Sequence, residues 1–277
     1  MRAVRRRLPT LFLLCLPAVL PAAPYTPTDD AQVVERVPAR ASDPRAKELH
    51  ALRQQLRRSP QDLDLAVRFA QRCYEEVAAQ GDPRYIGYAQ AALQPWLGLA
   101  DPPPAVRVLR AILLQFDHRF ELALQDLEAV LRVEPDHVEA GAWRTAILMV
   151  RADYAGARAS CRQMAPHTTP LGATACLAQV DAATGRAAQA ATALRTALLA
   201  NPQASAPERL WSLTRLAETE ERRGEFVAAE AAFRDALALA GTGTAQAMRA
   251  RRAGGWMLVL PALALALAVP GGDGRFA

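Results

Sequence analysis

Aromatic residues make up only 6% of this 277-residue chain, and histidine and cysteine each occur four times. With aromatic and β-branched runs this scarce, little is available to build strands. His50, His118, His137 and His167 do not pair at metal-ligand spacing, and no Cys-x-x-Cys occurs, so no metal site is expected. No Gly-x-Ser-x-Gly elbow is present, and Gly254-Gly255 and Gly271-Gly272 follow no strand pattern that would make them phosphate loops. The acidic pairs at Glu75-Glu76 and within Glu218 to Glu221 read as solvated helix faces. Nothing indicates a cofactor, and the chain is expected not to be an enzyme. A hydrolase acting on envelope polymers would need a shaped cleft between its carboxylates, which no motif implies.

Lysine is nearly absent too: Lys47 is the only one among 33 basic residues, a bias that fits a GC-rich coding sequence. The formal charge of +5 does not mark a nucleic-acid binder. Arg2, Arg5, Arg6 and Arg7 lie together at the N-terminus, and without them the balance falls to +1. The remaining arginines are interspersed with Asp and Glu rather than clustered on a basic face, so no nucleic-acid partner is expected.

What the chain does contain is alanine and leucine, both strong helix formers, broken by 20 prolines and 15 glycines that fall mostly between apolar-periodic segments. The N-terminal arginines precede an apolar run, Leu8 to Leu20, and then Pro21-Ala22-Ala23-Pro24. That order is the n-region, h-region and small-residue exit of a secretory signal peptide, with cleavage expected near Ala22 or Ala23. The run is too short to span a bilayer, although an uncleaved anchor is the alternative. Cys15 lacks a small residue among Phe12-Leu13-Leu14, so it does not read as a lipidation site. The expected organisation is a signal peptide at 1–23, a Pro-rich leader at 24–46, a helical repeat domain at 47–241 and a hydrophobic tail at 242–277.

In that tail, Trp256 to Val269 is apolar but interrupted by Pro261. Fourteen residues make only ~21 Å of helix against a ~30 Å hydrocarbon core. Arg249, Arg251 and Arg252 precede the run, which opposes a span in an exported protein. Membrane contact through 256–269, packing against the last repeat, and a truncated or frame-shifted end all stay open.

Cys73, Cys161 and Cys176 remain after the signal peptide. Cys161 and Cys176 lie on successive predicted helices, where a disulfide could form in an oxidising compartment. The favoured reading is that all three are small buried apolar residues.

The strongest signal is self-similarity. Phe120 to Val130, Tyr154 to Met164, Ala187 to Ala197 and Phe226 to Ala236 align on Ala123, Ala157, Ala190 and Ala229, in steps of 34, 33 and 39 residues. Ala89 extends the series back by another 34. The longer step implies an insertion around Ser205 to Arg209. In each segment the key positions recur at spacings of 3, 4 and 3, which places them on one helix face. A second apolar helix is expected before each: Val106 to Phe116, Ala140 to Val150, Leu171 to Ala182 and Leu210 to Glu221. Turns fall at Asp117-His118-Arg119, Thr184-Gly185 and Arg223-Gly224, where His118 is expected to be solvated. His137, at the turn after Pro135, is expected to be solvated likewise, with Asp136 capping the helix that follows. Leu49, Leu52 and Leu56 put a capping helix over Lys47 to Arg58, and Asp101-Pro102-Pro103-Pro104 makes a rigid break.

These residues resemble the tetratricopeptide (TPR) family, whose helical hairpins repeat every 34 residues with small residues at two fixed positions and a terminal proline. Ala111, Ala123 and Pro135 match in one repeat. Ala178, Ala190, Ala197 and Pro202 match in another, and Ala217, Ala229, Phe233 and Ala236 in the last. The repeat at Tyr154 departs from the pattern, with Thr145 at a small-residue position. The resemblance spans about residues 62 to 240 and is similar to exported proteobacterial repeat proteins. It implies an all-α fold, an α-α superhelical solenoid of TPR-like hairpins, in which the first helix of each hairpin lines a concave surface. By that resemblance Gln115, Glu139, Gln179, Glu218 and Arg222 are the candidate groove residues. With no conspicuous basic cluster, the groove does not resemble a clamp for peptide C-termini. The expected function is a protein–protein interaction scaffold of the bacterial envelope, periplasmic, binding a protein or peptide partner. The alternative is an assembly subunit attached to the membrane by its tail.

Overall fold

In a computed structural model of the chain, the described residues are Asp29, Gln32 and residues 44–239. The expected signal peptide, most of the expected leader and the tail lie outside them. Eleven α-helices and no strand occur among the described residues. A lone helix, α1 (Pro44–Arg58), precedes five hairpins. The hairpins are α2 (Leu63–Gln80) with α3 (Arg84–Leu97), α4 (Pro104–Phe116) with α5 (Phe120–Val133), α6 (Val138–Val150) with α7 (Tyr154–Met164), α8 (Pro170–Ala183) with α9 (Ala187–Ala200), and α10 (Ala206–Arg223) with α11 (Phe226–Leu239).

Helix starts follow from local chemistry. Asp62, Asp153, Thr169 and Ser205 accept hydrogen bonds from the backbone N–H three residues on, satisfying donors that no helical carbonyl reaches. Pro104 and Pro170 open α4 and α8, where a missing N–H costs nothing. The cap of α6 differs from expectation. His137, not Asp136, occupies the cap, and its Nδ1 accepts from Ala140 N–H at 3.3 Å. His137 is therefore a half-buried structural group rather than a solvated one.

The turns inside the hairpins share one device. Gly81, His118, Ala152, Gly185 and Gly224 all have φ between 57° and 83°. In the last four hairpins the residue after this one donates its N–H to a carbonyl five residues back, as in Arg119 to Leu114 and Asp153 to Leu148. This is the Schellman closure, and only a left-handed residue permits it. Glycine supplies that conformation without strain, whereas His118 and Ala152 adopt it with a Cβ.

Packing rests on small residues twelve apart. Ala111 and Ala123, Thr145 and Ala157, Ala178 and Ala190, and Ala217 and Ala229 are all at most 2% exposed. With no bulk at these points the two helices of a hairpin approach closely. The divergent repeat keeps this register: Thr145 stands in the alanine place and donates its hydroxyl to Gly141 O at 2.9 Å. The insertion inferred at Ser205 to Arg209 lengthens α10 at its start, since Ser205 caps a helix of 18 residues. The core forms two clusters that meet at α6. Trp143 and Ile147 pack with α2 to α5, and Ala142 packs with α7 to α11. Leu49, Leu52 and Leu56 of α1 lie against the first cluster, as the capping pattern implied.

Cys161 and Cys176 are joined by a disulfide, with Cα atoms 5.7 Å apart and both residues buried. The favoured reading of them as free apolar residues is corrected. Cys161 occupies the position of Leu127, Leu194 and Phe233 in the other hairpins, so the bond tying α7 to α8 sits where those hairpins place a larger apolar side chain. Cys73 is free and buried, and desolvation pushes its thiol up to about 12.

Candidate functional site

Successive first helices touch one another, α2 with α4, α4 with α6, α6 with α8 and α8 with α10. Each second helix instead packs on the first helix of the next hairpin, as α5 does on α6 and α9 on α10. A layer whose members touch is shorter than the layer outside it, so the first helices form the inner, concave side. All five candidate groove residues lie on this layer, on four different helices. Gln115 of α4 is buried at 7% exposed and offers little surface. Glu139 of α6, Gln179 of α8 and Glu218 of α10 are half-buried, and Arg222 is exposed. Glu218 is paired with Arg215 at 2.8 Å.

Glu139 stands out by its surroundings. Burial pushes its carboxyl pKa up, and this exceeds the opposing influences of His137 and the Trp143 indole N–H. Its charge in turn is felt by Tyr74, whose phenol burial drives strongly upward. Tyr74 of α2 and Trp143 of α6 form an edge-to-face pair with ring centroids 5.9 Å apart. Both are at least 95% buried, yet neither the Tyr74 hydroxyl nor Trp143 Nε1 makes a hydrogen bond of ordinary geometry within the described protein. A second pair of such atoms, Trp211 Nε1 and Ser212 Oγ, lies on α10. All four belong to first helices.

Polar groups buried elsewhere are paired. Asp126 of α5 receives Arg110 at 2.5 Å and Arg107 at 3.3 Å. Arg107 also binds Asp101 and the Pro102 carbonyl, which holds the Pro-rich break in place. Ser160 donates to Gly141 O at 3.0 Å. Glu220, buried on α10, is held by Arg195 of α9 and by Arg223. Among the described residues, the buried side-chain atoms without a hydrogen bond of ordinary geometry thus lie on first helices. Tyr74, Trp143, Trp211 and Ser212 escaped the sequence reading, although tryptophan on an Ala-rich helix is a usable signal.

A shallow depression with no enclosed volume lies among α5, α6 and α7, lined by Leu131, Pro135, His137, Gly141 and Gln163. Arg144 at its edge is engaged by Ser160 Oγ and Gln163 Oε1. Among the described residues no cluster of three or more His, Cys, Asp or Glu is arranged to hold a metal. No helix among them is long and apolar enough to cross a membrane.

The architecture is an α-α solenoid of TPR-like hairpins. No family model matches the sequence, and no curated protein matches it. A tetratricopeptide repeat protein from Parabacteroides merdae ATCC 43184 has the same fold, with a TM-score of 0.52 at 16% identity over 80% of this chain and 92% of its own. MamA from Desulfovibrio magneticus RS-1, residues 41 to its end, aligns at 17% identity over 64% of this chain and 93% of its own, with a TM-score of 0.39. BtubC (BKLC) from P. vanneervenii aligns at 15% identity over 76% and 90%, with a TM-score of 0.42. At 16% identity the likeness to the Parabacteroides protein is one of fold.

Proposed function

We propose that this chain is a non-enzymatic scaffold of the bacterial cell envelope that binds a protein or peptide partner along its layer of first helices. The observation that carries the reading is Glu139, a half-buried carboxyl on the layer of first helices. Burial works against its ionisation, and a lysine, arginine or amino terminus laid along the groove would relieve that cost. Export is supported by the signal-like order of residues 1–23 and by the buried disulfide, which persists in oxidising compartments.

The test is capture from a periplasmic extract with the wild-type protein, Glu139→Lys and, as an outer-face control, Arg234→Ala. The wild type and the control are expected to retain a protein that Glu139→Lys loses. Equal capture by all three, or none by the wild type, rejects the reading. The alternative, a subunit attached to the membrane through residues 256–269, is separated by fractionating cells that carry the chain with and without residues 254–277.

A further inference from the structure

The junction between the third and fourth hairpins is built differently from the others. At each junction the second helix of one hairpin contributes Leu93, Leu127, Cys161 or Leu194, recurring in steps of 34, 34 and 33 residues. The first helix of the next contributes Leu109, Trp143, Cys176 or Arg215, in steps of 34, 33 and 39. All eight are at most 7% exposed. At three junctions these positions hold a leucine and a side chain at least as large. Between α7 and α8 they hold two cysteines, joined as a disulfide. Two thiols fill far less space than Leu127 and Trp143, so a covalent bond holds what apolar bulk holds elsewhere. An ion pair also crosses this junction, Arg158 to Asp181 at 2.5 Å, but its partly exposed position makes it a weak tie.

We infer that the Cys161–Cys176 disulfide is a redox-dependent joint: oxidised, it couples the last two hairpins to the first three, and reduced, it releases them. In a repeat array each hairpin is stabilised by its neighbours, and about three are needed for stability. Released from α7, helices α8 to α11 make only two hairpins, below that number. Helices α2 to α6 keep a core cluster of their own, which includes Trp143 and Ile147. A dithiol reductant opens the joint by two thiol–disulfide exchanges. One of its thiolates attacks a cysteine sulfur and the S–S bond breaks, then its second thiolate displaces that cysteine. Two electrons and two protons pass to Cys161 and Cys176, and the reductant leaves as a disulfide. Both cysteines are buried, so attack follows a local opening of α7 from α8. On the groove reading, Glu139 precedes the joint and Gln179, Glu218 and Arg222 follow it, so a partner laid across them would need the oxidised chain.

The experiment is amide exchange on the full chain, oxidised and after reduction with dithiothreitol, with alkylation and mass confirming two additional thiols. It needs no partner, so it tests the joint separately from the groove. Cys161→Ala with Cys176→Ala gives the same reading without a reductant, and decides by itself where the buried bond resists dithiothreitol. Exchange in α8 to α11 is expected to quicken about 100-fold relative to the oxidised chain, while α2 to α5 keep the oxidised rate. An equal rise in all the helices, as a bond that only constrains the unfolded chain gives, overturns the inference. Loss of the whole array, or an unchanged rate in α8 to α11, overturns it too.

Discussion

Tyr74 and Trp143 meet edge to face, with planes inclined at 71°, although their helices belong to the first and third hairpins. The pair joins α2 to α6 past α4, so the first cluster of the core is closed by side chains that lie far apart in sequence. Both rings are buried, and the Tyr74 hydroxyl has no hydrogen-bond partner among the described residues. Tyr74→Phe should therefore be neutral or stabilise the fold by up to ~1 kcal/mol, because it removes an unsatisfied buried group. Trp143→Ala should cost about 3–5 kcal/mol through the cavity it leaves. Urea denaturation of the two variants measures both.

Glu139 should oppose folding at neutral pH. Its folded pKa is raised by burial, so the stability linked to it is fully present below the unfolded carboxyl pKa and is lost as pH rises through the folded value. Glu139→Gln should unfold at a higher temperature than the wild type at pH 7, and the gap should close on acidification. Thermal melts at a series of pH values give the comparison.

Asp181 should behave in the opposite sense. Burial is the largest single influence on it and acts upward. The hydrogen bonds and charges of Arg158 and Arg186, at 2.5 and 2.8 Å, together outweigh it, and the pKa is lowered. Its contribution is present above the unfolded pKa and is lost as pH falls through the folded one. Asp181→Asn should be less stable than the wild type at neutral pH, and the two should converge in strong acid.

The left-handed turns give a test of backbone strain. Ala152→Gly and His118→Gly should each stabilise by about 1 kcal/mol, since glycine adopts positive φ without the Cβ clash. Gly185→Ala and Gly224→Ala should destabilise by a similar amount. No atom lies within 4 Å of the Cβ they would introduce, so only the backbone would register the change. Denaturation midpoints of the four variants should order accordingly.

The disulfide closes a loop with a sequence separation of 15. Cross-links of this span contribute about 3 kcal/mol. Reduction, or Cys161→Ser with Cys176→Ser, should lower the stability by about that amount, read by denaturation with and without a reductant. Cys73 should resist alkylation in the folded protein, because burial keeps its thiol protonated.

The repeat frame was legible in the sequence because close helix approach needs a small residue at fixed spacing, and Ala123, Ala157, Ala190 and Ala229 display it. The turn positions were legible where glycine marks them, at Gly185 and Gly224. They were less so at Ala152, where an ordinary residue takes the strained conformation. Thr145 looked like a break in the pattern, yet its hydroxyl is satisfied within its own helix, and the register survives. The cap at His137 escaped because Asp136 is the commoner capping type and the choice between neighbours depends on chain direction at Pro135.

The sequence by itself determined the helical character and the hairpin period, because these follow from composition and from spacing along the chain, whereas the solenoid and the layer on which each helix lies were implied by the TPR resemblance. The tertiary structure decided which polar groups are unmet and which cysteines join. Each of those depends on residues brought together from different hairpins. Glu139 shows the difference: its place on a first helix follows from the repeat, but the burial that raises its pKa exists only in the folded array.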